Sequence, residues 1–285
     1  MIELSGSVLP EIEILLQVLR DQGWLLLRET ALTTETFGQF IGAICPRIMF
    51  DPARQSVTES VQSVDAGSDA VGLHIENGNT PLPPDIVAFF SQKSAPTGAQ
   101  TTVCDGTAVL RSLPAAIRDR LSQPYTMTRY LPKAIWQRYI AQAWHLADEE
   151  AVSTADLDTF IASIPGQSYS PRADGGIDYT LTLPALRNDN LSGQPAFANA
   201  LLGPSFNYES PVYRDASGKR LDDRLLQDLE AHCETEVREI AWRDGDVVII
   251  DNKRCLHGRR AITVPLTERR LVIAMGNLVT PTTTA

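Results

Sequence analysis

Residues 242–259 read WRDGDVVIIDNKRCLHGR, and the fold prediction starts from this stretch. Asp244-Gly245-Asp246 is typical of a turn that opens a strand. The four β-branched residues that follow it predict a short apolar strand. His257 comes soon after that strand, so the stretch places an imidazole close to a sheet-forming segment.

A second stretch, residues 72–77, reads GLHIEN, and its first five residues lie in another predicted strand, residues 70–76. Side chains two apart on a strand share a face, so His74 and Glu76 are expected to point inward together. His257 would join them from a distant strand, since a rolled sheet can close a gap of about 180 residues. Two imidazoles and one carboxylate suit a non-haem Fe(II) centre, which leaves positions open for a co-substrate and O2.

Helix-like and strand-like segments lie on both sides of these stretches. Helices are predicted at residues 10–23, 33–45, 109–122, 135–147, 155–164 and 221–235. Strands are predicted at residues 24–28, 61–64, 70–76, 86–91, 100–104, 236–241, 246–250, 258–263 and 270–278. The fold class is therefore α/β in the α+β sense, with a sheet-rich core in two halves. Residues 129–202 are predicted to be an insertion between the halves that forms a lid.

Length and composition favour one domain over residues 1–285, with a flexible tail only at residues 280–285. The net charge of -10 and the scattered basic residues exclude the basic stripe of a nucleic-acid binder. The sequence shows neither a secretory signal nor an apolar run of membrane-spanning length, which predicts a cytoplasmic protein without a membrane partner. Its four cysteines are widely separated and lack the spacing of a zinc site or the density of a disulfide scaffold. All four are therefore predicted to be reduced thiols. The oligomeric state is not predicted.

The stretches resemble a known family, the Fe(II)/2-oxoglutarate-dependent oxygenases of the taurine dioxygenase and clavaminate synthase type. The resemblance spans about residues 62–278 and rests on four blocks in family order. These blocks are GLHIEN at 72–77, GAQTT at 98–102, WRDGDVVIIDN at 242–252 leading to HGR at 257–259, and RRLVI at 269–273. The resemblance implies a double-stranded β-helix (jelly-roll, cupin-like) core with flanking helices and a helical lid.

The resemblance also implies an enzyme whose catalytic metal ligands are His74, Glu76 and His257. Fe(II), 2-oxoglutarate and O2 would be the cofactor and co-substrates, with succinate and CO2 as co-products. In the second block, Thr101 would bind 2-oxoglutarate; its spacing from the preceding glycine favours it over Thr102, although either hydroxyl remains a candidate. Related halogenases replace the ligand carboxylate with a small residue, so Glu76 argues against halogenation.

In the fourth block, an arginine would hold the distal carboxylate of 2-oxoglutarate. A planar guanidinium pairs with both oxygens of a carboxylate, which a dianion in an acidic protein requires. Neighbouring residues of a strand point to opposite faces, so only one of Arg269 and Arg270 can face inward. The register of the strand that follows is taken to favour Arg270.

Substrate contacts are predicted from polar residues around the first metal block and at the start of the insertion. The candidates are Gln62, Asn77, Asn79, Arg129 and Arg259. This mixture suits an amino acid or a small amino-acid-derived, peptide-like metabolite, hydroxylated at an unactivated C–H bond. Two alternatives stay open at this point: residues 77–80 form a turn without ligand contact, and Arg259 and Arg260 balance surface acids.

Three other functions are compatible with parts of the pattern. The same iron chemistry could end in desaturation or ring closure, because the fate of the substrate depends on its placement. A zinc hydrolase would normally present His-Glu-x-x-His on a helix, a motif that this sequence lacks. A non-catalytic small-molecule binder is the remaining alternative, and the complete set of ligand residues argues against it.

Overall fold

A computed structural model describes residues 3–5, 9–64, 67–203 and 209–278 of the chain. The predicted flexible tail, residues 280–285, lies outside this range. The helices are α1 (Ile12–Gln22), α2 (Thr34–Ile44), α3 (Gly106–Ser112), α4 (Ala115–Leu121), α5 (Lys133–Trp144), α6 (Thr154–Ser163) and α7 (Asp223–Glu236), with a 3-10 turn at Leu266–Glu268.

The strands fall into two groups separated by the middle of the chain. The first group is β1 (Glu3–Ser5), β2 (Trp24–Arg28), β3 (Arg47–Met49), β4 (Gln62–Ser63), β5 (Val71–His74), β6 (Ile86–Lys93) and β7 (Thr101–Asp105). The middle contains β8 (Tyr125–Leu131), β9 (Gln167–Pro171), β10 (Ile177–Leu183), β11 (Leu186–Asn188), β12 (Pro195–Phe197) and β13 (Val212–Arg214). The last group is β14 (Val237–Ile240), β15 (Val247–Asp251), β16 (Cys255–Arg259) and β17 (Arg270–Asn277).

One sheet has seven strands in the order β1-β2-β15-β6-β17-β3, with β4 also paired to β17. All pairs in it are antiparallel except β1 with β2. Helices α1 and α2 cover its outer face, where Leu19 and Phe37 pack against Ile249 and Phe90. Helix α1 ends at Gly23, whose φ of 78° is a left-handed conformation that glycine adopts without strain. A capping box at Thr33 begins α2.

A second sheet has four antiparallel strands in the order β14-β7-β16-β5. Its inner face packs against the inner face of the seven-stranded sheet. Val103 and Cys255 from the four-stranded sheet share one buried cluster with Phe89, Val248 and Ile273 from the other. Strands from both halves of the sequence therefore enclose a common interior, which is consistent with a jelly roll.

The middle of the chain adds a third sheet, β13-β8-β10-β9, and helices α5 and α6. Met127 and Leu181 from this sheet pack with Ile140 of α5 and Phe160 of α6. These elements fall within or next to residues 129–202, the predicted insertion, and they form one wall of a large cavity described below.

Most predicted elements are present, and the exceptions have local causes. The predicted helix at residues 109–122 is two helices, α3 and α4, because Pro114 lacks an N–H and disfavours a helical conformation at Leu113. Strand β5 stops at His74 instead of continuing to Glu76. Strand β16 begins at Cys255, earlier than the predicted strand at 258–263. No helix in the described ranges is long and apolar enough to cross a bilayer.

Candidate metal centre and co-substrate pocket

The two histidines of the predicted ligand set lie side by side on paired strands. His257 on β16 is in register with His74 on the edge strand β5. Their ring centroids are 4.5 Å apart. The ring of Phe89 from the opposite sheet makes a T-shaped contact with His257, with the two centroids 5.2 Å apart. The pairing of β5 with β16 thus brings together two residues that are far apart in sequence.

Glu76 reaches the histidines from a turn. One ligand atom from each of His74, Glu76 and His257 lies within 4.8 Å of the others. Asn252, which follows β15, holds this turn: its Oδ1 accepts from Glu76 N at 2.8 Å, and its Nδ2 donates to Glu76 O at 3.1 Å. The expectation that His74 and Glu76 share one strand is therefore wrong, although both side chains point to the same place.

The two oxygens of the Glu76 carboxylate contact different neighbours. Its Oε1 accepts from Arg54 Nη2 at 3.0 Å, and its Oε2 lies 3.4 Å from His257 Nε2. Burial alone would raise the pKa of Glu76, but the charge of Arg54 and the interaction with His257 outweigh it and hold that pKa well below its usual range. Glu76 is therefore an anion at neutral pH.

His74 is held in the form that binds metals. Its Nδ1 lies 2.8 Å from Gly72 O. Because a carbonyl oxygen only accepts, the proton belongs on Nδ1, and the lone pair of Nε2 faces the site. Burial, reinforced by the neighbouring His257, lowers the pKa of His74 to about 4. The imidazole is therefore neutral at neutral pH.

These residues fit a divalent cation. Glu76 Oε2 is buried without a hydrogen bond of good geometry to any described residue. Arg54 neutralises the carboxylate through Oε1 only, and a buried, unbonded Oε2 beside two imidazoles is costly. Two histidines and one carboxylate are a ligand set that suits Fe(II), and a bound cation would satisfy that oxygen.

Beyond His257, the interior of the two sheets contains the residues that could hold 2-oxoglutarate. Thr101 faces inward on the same side of β7 as Val103, and Trp242 Nε1 donates to its hydroxyl at 3.0 Å. Thr102 points to the outer side, where its hydroxyl would lie 2.9 Å from a Cβ added to Gly258. The observed orientation favours Thr101, as its spacing did.

The arginines of the fourth block are oriented opposite to the prediction. The side chain of Arg270 is exposed, whereas Arg269 is half-buried and lines a small pocket of about 130 Å³ with Ser91 and Trp242. Residues 271–275 are buried on both faces of β17, so their apolar character did not reveal which face is interior. A register shift between Arg270 and Leu271 also interrupts the alternation.

This pocket fits a carboxylate. Burial, reinforced by the charge of Arg259, lowers the pKa of Arg269 to about 10. The Ser91 hydroxyl in the same pocket is buried and has no hydrogen-bond partner among the described residues. An anion with two oxygens would stabilise the guanidinium and accept from the hydroxyl.

The predicted substrate residues separate into three groups. Gln62 is buried and is bonded to the backbone of Asp51 through both ends of its amide, at 2.9 Å each. Arg259 lies inside the sheets two residues beyond His257 and donates to Gly67 O and Asp69 O at 2.8 and 2.6 Å. Neither residue lines the large cavity beside the metal ligands. Gln62 supports a loop, and Arg259 lies close enough to Arg269 for its charge to act on that residue.

The other three candidates, Asn77, Asn79 and Arg129, do line that cavity. Its volume is about 620 Å³, and His74 and Glu76 form part of its wall. Asn77 has a positive φ of 53°, so it has the turn conformation that the sequence left open and also contacts the cavity. The Asn79 amide is bonded to the Tyr213 hydroxyl at 2.9 Å.

Sequence reasoning missed three residues of the site. Arg54 donates to the Glu76 carboxylate, and Trp242 donates to the Thr101 hydroxyl. Asn252 binds the backbone of Glu76. Trp242 and Asn252 could have been suspected from their place in the block that leads to His257. Arg54 lies in an irregular segment, and no sequence pattern indicated it.

The fold and the site together define a class of protein. A two-sheet antiparallel interior, a His-x-Glu turn paired with a distal histidine, and a neighbouring guanidinium pocket are features of a non-haem iron oxygenase that uses a dicarboxylate co-substrate. A family model independently matches residues 5–275, and it is described as "Taurine catabolism dioxygenase TauD, TfdA family". The chain belongs to this family, and it is an enzyme of the Fe(II)/2-oxoglutarate (α-ketoglutarate)-dependent dioxygenase type.

Solved structures share the fold at low sequence identity. A taurine dioxygenase from Burkholderia xenovorans superposes with a TM-score of 0.60 at 14% identity, covering 96% of this chain and 83% of that one. PvcB from Pseudomonas aeruginosa, an Fe, α-ketoglutarate-dependent oxygenase from an isonitrile synthetic pathway, gives 0.61 at 16%, with 96% and 82% covered. AAD-2 in complex with Mn(II) and N-oxalylglycine gives 0.59 at 14%, with 97% and 91% covered. No curated protein sequence matches this chain.

Proposed function

We propose that this enzyme hydroxylates an unactivated C–H bond of an amino acid or a small amino-acid-derived, peptide-like metabolite, with succinate and CO2 as co-products. His74, Glu76 and His257 would hold Fe(II), and Arg269 and Thr101 would hold 2-oxoglutarate. The observation that carries the proposal is the buried, ionised Glu76 carboxylate beside two imidazoles: Arg54 binds its Oε1, whereas its Oε2 has no hydrogen bond among the described residues. We further propose that the two facing sheets form a double-stranded β-helix and that residues 129–202 form its lid.

In this arrangement, bound iron and 2-oxoglutarate supply the oxidising power. The protein residues supply placement: Asn252 and Arg54 orient Glu76, and the β5–β16 pairing orients the histidines. Arg269 fixes the far end of the co-substrate, and the wall formed by α5 and α6 excludes water from the reaction.

Anaerobic titration with Fe(II) and 2-oxoglutarate tests the metal assignment. The wild type is expected to develop the weak visible charge-transfer band of the chelate, and His257→Ala is expected to lose it because one of three ligands is gone. His232→Ala is the matched control, since His232 lies on α7 away from the site. Absence of the band from the wild type would rule out this function.

A pair of neighbouring variants tests the co-substrate assignment. Arg269→Ala should raise the apparent Kd of 2-oxoglutarate by about 10-fold or more, because a charge-assisted hydrogen bond is worth roughly 1.5–3 kcal/mol. Arg270→Ala should leave that Kd unchanged, because its side chain is exposed. Titration of the chelate band measures both, and the reverse order of effects would return the role to Arg270.

The reaction outcome is decided by the mass of the product. Hydroxylation adds one oxygen atom, whereas desaturation or ring closure removes two hydrogen atoms. Metal and 2-oxoglutarate binding without any turnover across a library of amino acids and short peptides would favour the non-catalytic binder instead.

A further inference from the structure

The segment between β14 and β15, residues 241–246, is fixed to two strands of the seven-stranded sheet. Arg28 of β2 donates from Nη1 to Ala241 O at 3.0 Å and to Asp246 Oδ2 at 2.6 Å. From β6, Ser91 N donates to Asp246 O at 2.9 Å. Asp246 is fully buried, so water competes little for these bonds. The segment is therefore a rigid support for the side chain that it carries inward.

That side chain is Trp242. It is half-buried, and it packs against the cluster between the two sheets that contains Val103. The ring lines the small pocket together with Arg269 and Ser91. Its Nε1 donates to the Thr101 hydroxyl at 3.0 Å. One indole therefore borders the guanidinium pocket and also contacts the threonine that is proposed to bind 2-oxoglutarate.

Thr101 lies near the metal ligands along the same sheet. On β7, Val103 is in register with His257, and Thr101 is in register with Arg259. Thr101 and Val103 face the same side of the strand, and two residues of a strand span about 7 Å. Thr101 is therefore close enough to His257 for one small dicarboxylate to reach both the metal and this hydroxyl.

The direction of the hydrogen bond between Trp242 and Thr101 is fixed by chemistry. An indole N–H donates and cannot accept, so the threonine oxygen is the acceptor. A hydroxyl has one proton, and that proton rotates away from a donor that already occupies a lone pair of the oxygen. No described residue accepts the proton of Thr101, whose side chain is nearly fully buried. The proton is therefore directed to a bound acceptor.

We propose that Trp242 is a positioning residue, which orients the Thr101 hydroxyl so that its proton is donated to 2-oxoglutarate. The rigid segment holds the indole, and the indole holds the hydroxyl. A hydroxyl oriented in this way favours an oxygen acceptor, such as a carboxylate, over a donor such as an ammonium group. This inference rests on the proposed function, because it takes 2-oxoglutarate as the ligand of Thr101.

The indole N–H resonances measure the contact directly. The chain has four tryptophans, so a heteronuclear NMR spectrum shows four indole peaks, and Trp242→Phe assigns one of them by removing it. Thr101→Val replaces the hydroxyl with a methyl group, and we expect it to move that peak upfield because the hydrogen bond is lost. Thr101→Ser keeps the hydroxyl and should leave the peak near its wild-type position. A peak that stays in place in Thr101→Val would refute the contact and the proposal with it.

A double-mutant cycle on co-substrate affinity tests the role. Calorimetric titration of the Mn(II)-loaded protein with 2-oxoglutarate should give a Kd about 3- to 10-fold higher for Trp242→Phe, since one neutral hydrogen bond is lost while an aromatic ring is kept. In the Thr101→Val background the same change should have no effect, because the indole then has no hydroxyl to orient. An equal effect in both backgrounds would show that Trp242 acts through packing alone, which contradicts the proposal.

Trp144→Phe is the matched control. Trp144 is also half-buried, but it lies at the end of α5 and lines neither pocket, so its replacement should leave the Kd unchanged. Failure of the proposed function gives a different result, because the wild type then shows no chelate band with Fe(II). A normal band together with an additive cycle contradicts only the role of Trp242. If Trp242→Phe does not fold, the indole peaks still decide: the proposal requires one that moves in Thr101→Val but not in Thr101→Ser.

Discussion

At the scale of single residues, Arg54 contacts the carboxylate of Glu76, one of the three proposed metal ligands. Its guanidinium donates a hydrogen bond to Glu76 Oε1, and Glu76 Oε2 is directed toward His257. The carboxylate is 5% exposed and Arg54 is 18% exposed, so water competes little for this ion pair. We infer that Arg54 is a positioning residue, which would act on a bound metal through Glu76.

Arg54→Gln is expected to lower the affinity for Mn(II) by about 10- to 100-fold, the usual effect of removing a partner that orients a metal ligand. Without the guanidinium, Glu76 loses its orientation and its pKa moves toward its ordinary value. Titration of the metal-free protein with Mn(II), followed by electron paramagnetic resonance, measures the change.

Arg111→Gln is the control, because Arg111 is exposed near the end of α3. Circular dichroism should show that both variants are folded. If Arg54→Gln bound Mn(II) as tightly as the control, the ion pair would be irrelevant to the metal site.

At the scale of elements, the turn that follows β5 is held in place by hydrogen bonds from the connection between β15 and β16. Asn252 is fully buried, and its amide bonds to Glu76 N, Glu76 O and Pro84 O at 2.8, 3.1 and 3.0 Å. Glu76 lies beyond the end of its strand, so these bonds replace the ladder that would otherwise hold it. The block around residues 242–257 thus contributes His257 to the proposed metal site and holds the turn that carries Glu76.

Asn252→Ala should lower the free energy of unfolding by about 2–4 kcal/mol, because it leaves buried backbone groups without partners. The affinity for Mn(II) should fall with it. Urea denaturation and the same metal titration measure the two effects, with the exposed Asn188→Ala as a control. A variant that lost stability but bound Mn(II) normally would show that the turn is held by other contacts.

At the scale of the whole molecule, a group of buried acids joins the two-sheet core to the middle of the chain. Asp251 ends β15, and the charges of Asp189 and Asp85 act on it. Burial, with those two carboxylates, raises the pKa of Asp251 to about 7, although the N–H of Lys253 and the charge of Arg254 oppose the shift. Its Oδ2 is buried and has no hydrogen-bond partner among the described residues.

This raised pKa makes the stability of the fold depend on pH. Between the unfolded pKa of about 4 and the folded pKa of about 7, the folded state binds the proton more tightly. The stabilisation from the protonated group is therefore complete below about pH 4 and is lost as the pH rises through 7.

Asp251→Asn should remove that loss. We expect its free energy of unfolding to exceed that of the wild type by about 1–3 kcal/mol at pH 8, with the difference shrinking toward pH 5. Urea denaturation of the metal-free protein across this range measures it, and the exposed Asp119→Asn is the control. A difference that did not change with pH would show that Asp251 is ionised in the fold throughout.

Much of the site was predictable because its chemistry is carried by residue types in ordered blocks. The clustering of His74, Glu76 and His257 could be predicted from their types and order. The helices at either end of the chain followed from apolar spacing and capping residues. Such patterns depend only on the order and spacing of neighbouring residues, and these can be read from the sequence.

Packing decided the remaining features. Whether Arg269 or Arg270 faces inward depended on helices that cover the outer side of β17, since a strand buried on both faces carries no contrast between them. The roles of Arg54 and Asn252 arose only because sheet pairing brought remote segments to Glu76. The apolar cavity wall likewise required α5 and α6 to pack over β8 and β10. Contacts between segments remote in sequence are determined by how the chain packs, and the local spacing of residues does not predict them.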